Sequence, residues 1–408
     1  MSQFRIRELR LRNYRAFADA RLKLDDVTFL VGRNGAGKST LLDAFSFVSE
    51  ALTDSLATAL ERRGNLEGVR RRQAGRGAKR DVWVSVAFDC LGKVGIYGFR
   101  LGLSPSGSTY EVKLEVGAIG LDVMRRKGGF HIVEMGKATD AQDLDLLIRN
   151  GFESRSDFVF TRTNPDKLFL PLMADANEPW AAVMDGFRRV GFHQLEPRRL
   201  QAEPNIGSEE RLNRSGANAG DVLKKTSAED RAWIAERLGV AVPGIRDVRA
   251  TARAGRRVIV FDQDAEGQRR NEFDASMMSD GTVRSLGVLL SLKQSPRPSI
   301  VLLDEIEDSL HPFAQAVLLD SIEAVVSEFP VVVSTHNPEV LSLPSARGER
   351  IRVVEWTKGV SQVHHLGSRV IEHLNPPTTV GDLLRSNALW TERDPSTTGE
   401  EEDFFKVD

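Results

Sequence analysis

Val27-Thr28-Phe29-Leu30-Val31-Gly32-Arg33-Asn34-Gly35-Ala36-Gly37-Lys38-Ser39-Thr40-Leu41-Leu42 decides how this chain folds. Its first five residues are β-branched or apolar and read as a buried strand. Gly32 to Ser39 fits the P-loop pattern G-x-x-x-x-G-K-[ST]. Leu41, Leu42, Ala44 and Phe45 then recur at helical spacing, so the glycines fall at a strand-to-helix turn. Glycine is needed there because the backbone must approach phosphates closely and take φ values that other residues resist. The N–H groups of Gly35 to Ser39, Gly37 among them, then face the anion, and the helix N-terminus adds its positive dipole end. Asn34 and Thr40 flank this cradle; Lys38 is placed to reach the β/γ-phosphates and the Ser39 hydroxyl to ligate Mg²⁺.

A phosphate cradle does not hydrolyse anything alone. The apolar run Ser299 to Leu303 predicts a second strand that delivers Asp304-Glu305 to its C-terminal end, where parallel α/β sheets place ligands. Asp304 suits Mg²⁺, and Glu305 suits orienting or deprotonating an attacking water. A third apolar run, Val331-Val332-Val333, ends at Ser334-Thr335-His336, which brings an imidazole to the same edge as a γ-phosphate sensor. Ser279-Asp280-Gly281-Thr282 precedes a helical run from Val283 to Leu292. Ser279 and Gly281 therefore sit at a helix start, where Ser-Asp-Gly also suits an ordinary N-cap and turn.

In combination these segments carry a family resemblance. Ser279-Asp280-Gly281-Thr282 with its helix resembles the signature motif of ABC-type ATPases, in the variant of the SMC/RecF/OLD-like branch. Glu307-Asp308-Ser309-Leu310-His311-Pro312 is similar to that branch's D-loop, and Ser334-Thr335-His336-Asn337-Pro338 to its H-loop. Asn13-Tyr14-Arg15-Ala16-Phe17 is similar to its N-terminal strand pair, where the residue matching Arg15 lies near the nucleotide. The resemblance spans about residues 3–50 and 270–345. It implies ATP and Mg²⁺ as cofactors and an α/β ABC-ATPase head: a mixed β core, an antiparallel β subdomain and a helical signature subdomain. It also implies a head-to-head dimer with a second copy of the chain, in which Ser279 and Gly281 of one copy read the γ-phosphate held by the other. Compact bacterial ATPases grouped with the OLD family in anti-phage defence match this pattern. That branch implies control of an effector protein on another chain, such as a nuclease; a RecF-like DNA-repair ATPase is the alternative. The Ser-Asp-Gly-Thr signature argues against a transporter subunit.

The expected organisation is a single ATPase domain, 1–390, split in sequence. Residues 1–50 begin the P-loop lobe; 51–270 hold a β subdomain and a helical short-arm insertion; 271–345 hold the signature, Asp304-Glu305, D-loop and H-loop; 346–390 add closing strands and a helix. Alternation through Val82, Val84, Val86 and Phe88 marks antiparallel strands, and no sustained heptads predict a long coiled coil. Thr139 to Asn150, ended by Gly151, and Pro179 to Val190 read as the helices of the short arm. Phe192-His193-Gln194 follows an apolar strand where ABC-type enzymes carry a Q-loop; Gln194 is the candidate for a further Mg²⁺ contact, with Gln201 as rival. Residues 61–80 carry a basic run, from Arg62 and Arg63 to Lys79 and Arg80, that is able to neutralise nucleic-acid phosphates. Its glycines equally suit a solvated loop.

Bulk properties agree. The chain has 408 residues, 41% of them hydrophobic, enough for a large core. A formal net charge of −2 gives no overall nucleic-acid footprint. The lone Cys90 excludes a disulfide framework and suits a reducing cytoplasm. No apolar run is long enough for a membrane span, and the opening residues alternate like strands rather than a signal peptide. The histidines show no metal-ligand spacing. About 70 residues follow His336, too few for the Toprim nuclease domain of OLD-family nucleases. Asp262-Gln263-Asp264 has an acidic-pair spacing but is expected in a hairpin turn. Residues 391–408 read as a disordered acidic tail, with Phe404-Phe405 frayed or docked on a partner.

Overall fold

The structure is a computed structural model that describes residues 4–72, 81–107, 109–127, 132–150, 159–175, 178–264, 270–367, 370–371, 374, 378–386, 391–393 and 404–405. Its centre is the strand Val27–Val31, buried at all five positions. Val331–Thr335 pairs with it in parallel on one side and Ile351–Thr357 on the other. Ile300–Leu303 pairs in parallel with Val331–Thr335, and Val190–His193 with Ile300–Leu303. Val27–Val31, Val331–Thr335 and Ile300–Leu303 are buried on both faces, which is why they read as apolar runs rather than alternating ones.

Beyond Ile351–Thr357 the same fifteen-stranded sheet is paired antiparallel, except where Val360–Leu366 meets Phe17–Lys23 in parallel. It continues through Val360–Leu366, Phe17–Lys23, Phe4–Tyr14, Val82–Cys90, Lys93–Leu103 and Tyr110–Ile119, and ends in shorter strands. The P-loop helix Lys38–Thr53 packs inside this curved sheet, with Leu41, Leu42, Phe45 and Phe47 in one core with Phe4, Phe88, Phe99 and Phe187. A second core joins the other face of the parallel strands to the helix Asp280–Lys293 through Val301, Leu303, Leu286 and Leu290. A separate antiparallel sheet, Ile245–Arg253, Arg256–Asp264 and Arg270–Asp274, caps that lobe. The architecture is the mixed α/β head expected from the motifs. Among the described residues no helix is long and apolar enough to cross a membrane.

Four expectations are corrected. The segment after Pro179 forms no arm: the helix Glu178–Arg188 buries Trp180, Val183, Met184 and Phe187. A Cβ at Gly186 would come 2.1 Å from the Phe4 ring, so this helix lies directly on the first strand, and Val190 already belongs to the next strand. The helix Ala141–Asn150 likewise packs Leu147 and Ile148 onto the sheet; Gly151 lies outside the described residues. Asp262-Gln263-Asp264 is strand, not turn, because Asp262 and Asp264 pair with Arg249 and Arg246 of the adjacent strand. The acidic tail is not wholly loose. Thr391–Arg393 pairs with Val360–Leu366, and Phe404 and Phe405 are buried against Trp83, 5.4 and 5.7 Å between ring centroids. Gly98 makes room, since a Cβ there would meet Phe405 at 2.7 Å.

The basic run is also partly spoken for. Arg63 is buried and forks onto Asp43 and Glu50, Arg62 pairs with Glu50 and Asp54, and Arg70 with Glu67. Residues 73–80, including Arg76, Lys79 and Arg80, lie outside the described residues.

Candidate nucleotide site

Two glycines of the P-loop take left-handed φ, 79° at Gly35 and 116° at Gly37, the latter opening the helix Lys38–Thr53. Gly32 is required by contact: a Cβ there would lie 2.2 Å from the Val354 carbonyl oxygen. Ser361 Oγ donates to the Ala36 carbonyl at 2.6 Å and locks the far side of the loop. Lys38 Nζ folds over the loop, donating to the Gly32 and Arg33 carbonyls at 2.7 and 3.3 Å. Burial pulls its ammonium below the ordinary lysine value, opposed by the nearby carboxylates of Glu305, Asp304 and Glu307. Asn34 is exposed and Thr40 half-buried beside this loop.

Asp304 ends the strand Ile300–Leu303 and is 2% exposed. Its Oδ1 accepts from Ser39 Oγ at 3.2 Å and Ser334 Oγ at 2.5 Å. Its Oδ2 is buried with no hydrogen-bond partner among the described residues. Ser334 Oγ also accepts the Glu305 N–H at 2.9 Å, so one hydroxyl shapes the turn and orients the carboxylate. Glu305 sits at φ 51°, a conformation a glutamate adopts only under constraint. Desolvation, then Asp308 and Asp304, raise its carboxyl above the ordinary range. The buried Glu307 takes the His336 N–H at 2.8 Å and holds His336 Nδ1 at 3.0 Å.

The structure therefore gathers Lys38, Ser39, Asp304, Glu305 and His336 along adjoining strand ends. Gln194 follows Val190–His193 at the same edge, and Asp304 N–H donates to the His193 carbonyl at 2.9 Å. Gln201 is engaged elsewhere, donating to the Met278 carbonyl at 2.9 Å and to Asp280. Arg15 lies along the P-loop helix, 3.0 Å from Asp43. Ser279 caps the helix Asp280–Lys293, accepting Thr282 N–H at 3.2 Å. Gly281 carries the D-loop backbone, with the Ser309 carbonyl 2.7 Å from where a Cβ would stand.

Arg284 escaped the sequence reading. Buried in the signature helix, it donates to the carbonyls of Leu195 at 2.7 Å, Asp304 at 3.3 Å and Glu305 at 2.6 Å. One guanidinium thus ties that helix to the Glu305 turn. The signal was present: a lone arginine in the apolar run Val283 to Leu292. Glu307 and Ser334 lay inside motifs but had no assigned contact.

The family model described as "AAA domain, putative AbiEii toxin, Type IV TA system" matches residues 136–342, just over half of the chain. The chain belongs to this AAA-domain family. A model described as "AAA ATPase domain" matches residues 5–70. One AAA-type model thus takes in the P-loop and the other Asp304, Glu305 and His336. Among solved structures, an SMC head bound to the C-winged helix domain of ScpA is 16% identical with a TM-score of 0.52, covering 90% of this chain and 99% of that chain. An SMC head with an extended coiled coil, bound to the C-terminal domain of ScpA and derived from Pyrococcus furiosus, is 14% identical with a TM-score of 0.51, covering 91% and 98%. At these identities the likeness is one of fold: this AAA-domain chain has the SMC-head fold. No curated protein matches it.

Proposed function

We propose that this AAA-domain ATPase hydrolyses ATP at the site built on Lys38, Ser39, Asp304, Glu305 and His336, and closes on ATP as a head-to-head dimer. The observation that carries the catalytic part is the Asp304 carboxylate. One oxygen is fixed by Ser39 and Ser334 while the other is buried without a partner among the described residues, a costly arrangement unless a cation completes it. Ser39 and Asp304 would hold Mg²⁺, with Gln194 as a further contact, and the ion would neutralise phosphate charge. No three His, Cys, Asp or Glu side chains cluster as a metal cage among the described residues, and Mg²⁺ needs none where phosphates supply the remaining oxygens.

Lys38 and the N–H groups of Gly35 to Ser39 bind the β/γ-phosphates. Glu305, with its raised carboxyl, accepts the proton of the attacking water as the oxygen–phosphorus bond forms and the bond to ADP breaks. His336, oriented by Glu307, faces the γ-phosphate. Arg15 serves the nucleotide from the P-loop helix side. Ser279 and Gly281 present a helix N-terminus to the nucleotide of the second copy, making a two-fold interface.

The load on this engine is, in our reading, a separately encoded effector in anti-phage defence. A family description that names a toxin–antitoxin system supports a second gene product as partner. The DNA-repair alternative draws on the basic run, whose Arg62, Arg63 and Arg70 are already ion-paired within the chain. Light scattering and phosphate release on wild type and Glu305→Gln, with and without Mg²⁺-ATP, test the core of the proposal. A trapped ATP-dependent dimer without turnover is the expected result; no change in either assembly or rate overturns it. Co-purification with neighbour-encoded proteins and phage plaque counts test the role.

A further inference from the structure

Gln194 and Arg15, the residues that sequence motifs support least, hang on one carboxylate. Asp43 lies one helical turn beyond Ser39 on the P-loop helix and is 3% exposed. It accepts Tyr14 OH at 3.1 Å and Nε and Nη2 of Arg63 at 3.0 Å each, and pairs with Arg15 Nη1 at 3.0 Å. A further cation reaches its Oδ1, Arg214 Nη1 at 3.5 Å.

Arg214 grips Gln194 at both ends. Its carbonyl accepts the Gln194 N–H at 2.8 Å, and its Nη2 donates to Gln194 Oε1 at 3.0 Å. Its guanidinium lies 4.2 Å from the centre of the Phe192 ring, on the strand that leads into Gln194. The charge of Asp43 is already met by the buried fork of Arg63, whereas the Arg214 side chain is 48% exposed. A 3.5 Å contact from so exposed an arginine to a carboxylate already paired adds little stability. What the contacts do accomplish is geometric: a planar fork joins the Gln194 amide to the helix that carries Lys38 and Ser39.

We propose that Arg214 is a positioning residue for ATP turnover, holding the Gln194 amide beside Asp304 and registering it against the P-loop helix through Asp43. The proposal rests on the ATPase reading above. Arg214 acts through Gln194 and touches no reacting atom. Lysine at this position satisfies either Gln194 or Asp43, not both, so charge alone does not replace the fork.

The test is steady-state ATP turnover, Mg²⁺ titration and thermal melting of full-length wild type, Arg214→Ala, Arg214→Lys, Gln194→Ala and the Arg214→Ala/Gln194→Ala double variant. Arg214→Ala is expected to lower kcat about tenfold, with KM for ATP changed less than about threefold and the Mg²⁺ half-saturation raised. Arg214→Lys behaves like the alanine variant, and the double variant is no slower than Gln194→Ala. Wild-type kcat in Arg214→Ala, full rescue by lysine, or additive losses in the double variant overturns the proposal while leaving the ATPase reading intact. A melting temperature that falls in step with kcat also overturns it, as a structural effect. Wild type that binds ATP but does not turn it over removes the reading itself and the proposal with it.

Discussion

Two buried carboxylates on this chain are treated in opposite ways. Glu115, in the antiparallel part of the sheet, is 0% exposed and fully satisfied: Oε1 takes Tyr97 OH at 2.9 Å and Leu170 N–H at 3.0 Å, and Oε2 takes Phe169 N–H at 2.8 Å. The equally buried Arg126 stands 3.9 Å away and spends its guanidinium on the Lys167 and Asn164 carbonyls. Burial raises the Glu115 carboxyl even so. Asp304, by contrast, keeps one oxygen without a partner among the described residues, beside a residue at φ 51°. A satisfied buried charge is architecture; an unsatisfied one beside a constrained turn is set aside for a ligand.

Glu305→Gln presses hardest on that contrast. Removing the proposed base is expected to cut turnover about 10³-fold with ATP binding retained, checked by phosphate release against equilibrium binding. A variant that loses binding and rate together would put Glu305 in the cradle rather than at the water. The two carboxylates should then separate by assay. Glu115→Gln is expected to destabilise the fold by about 3 kcal/mol in urea unfolding, because Arg126 loses its counter-charge in a dry core. Asp304→Asn is expected to change stability by less than about 1 kcal/mol while Mg²⁺-dependent turnover disappears. Reversal of that ranking breaks the comparison.

His193 gives a smaller, pH-dependent test. Burial holds its imidazole down to about 4, so the unfolded chain takes up the proton first as pH falls. Its contribution is full above pH 6.5 and declines toward pH 4, by about 3 kcal/mol in all. Unfolding free energy against pH shows that slope, and His193→Gln flattens it. The smallest effect concerns Glu305. Its raised carboxyl places the acid limb of kcat above the ordinary carboxylate range, and Asp308→Asn, removing a neighbouring negative charge, moves that limb to lower pH. An unmoved limb would assign it to another group.

Legibility followed distance along the chain. The strand Val27–Val31, the turn with Gly35 and Gly37, and the helix from Lys38 were readable because each is a local pattern with its own period and stop. Ser279 was readable at a helix start for the same reason, and the structure makes it the cap, its partner Thr282 being three residues on. The helix Glu178–Arg188 was readable as a helix but not as core, since which surface an apolar stripe covers is not written in the stripe. The tail failed for a related reason: its acidic composition outweighed two phenylalanines whose pocket, floored by Gly98 and walled by Trp83, lies elsewhere in sequence.

By itself, then, the sequence determined the order of the engine's parts: cradle, signature, acidic strand end and imidazole, each set by short-range spacing and by the chemistry of a few side chains. Only the tertiary structure decided what those parts lean on. Arg10 reaches the Phe404 carbonyl across 394 positions, Ser39 meets Asp304 across 265, and Arg284, Asp43 and Arg214 acquire roles only where the fold brings their acceptors within reach. Periodicity is a property of neighbours, whereas the pairing of a buried charge is settled by whichever groups packing leaves beside it.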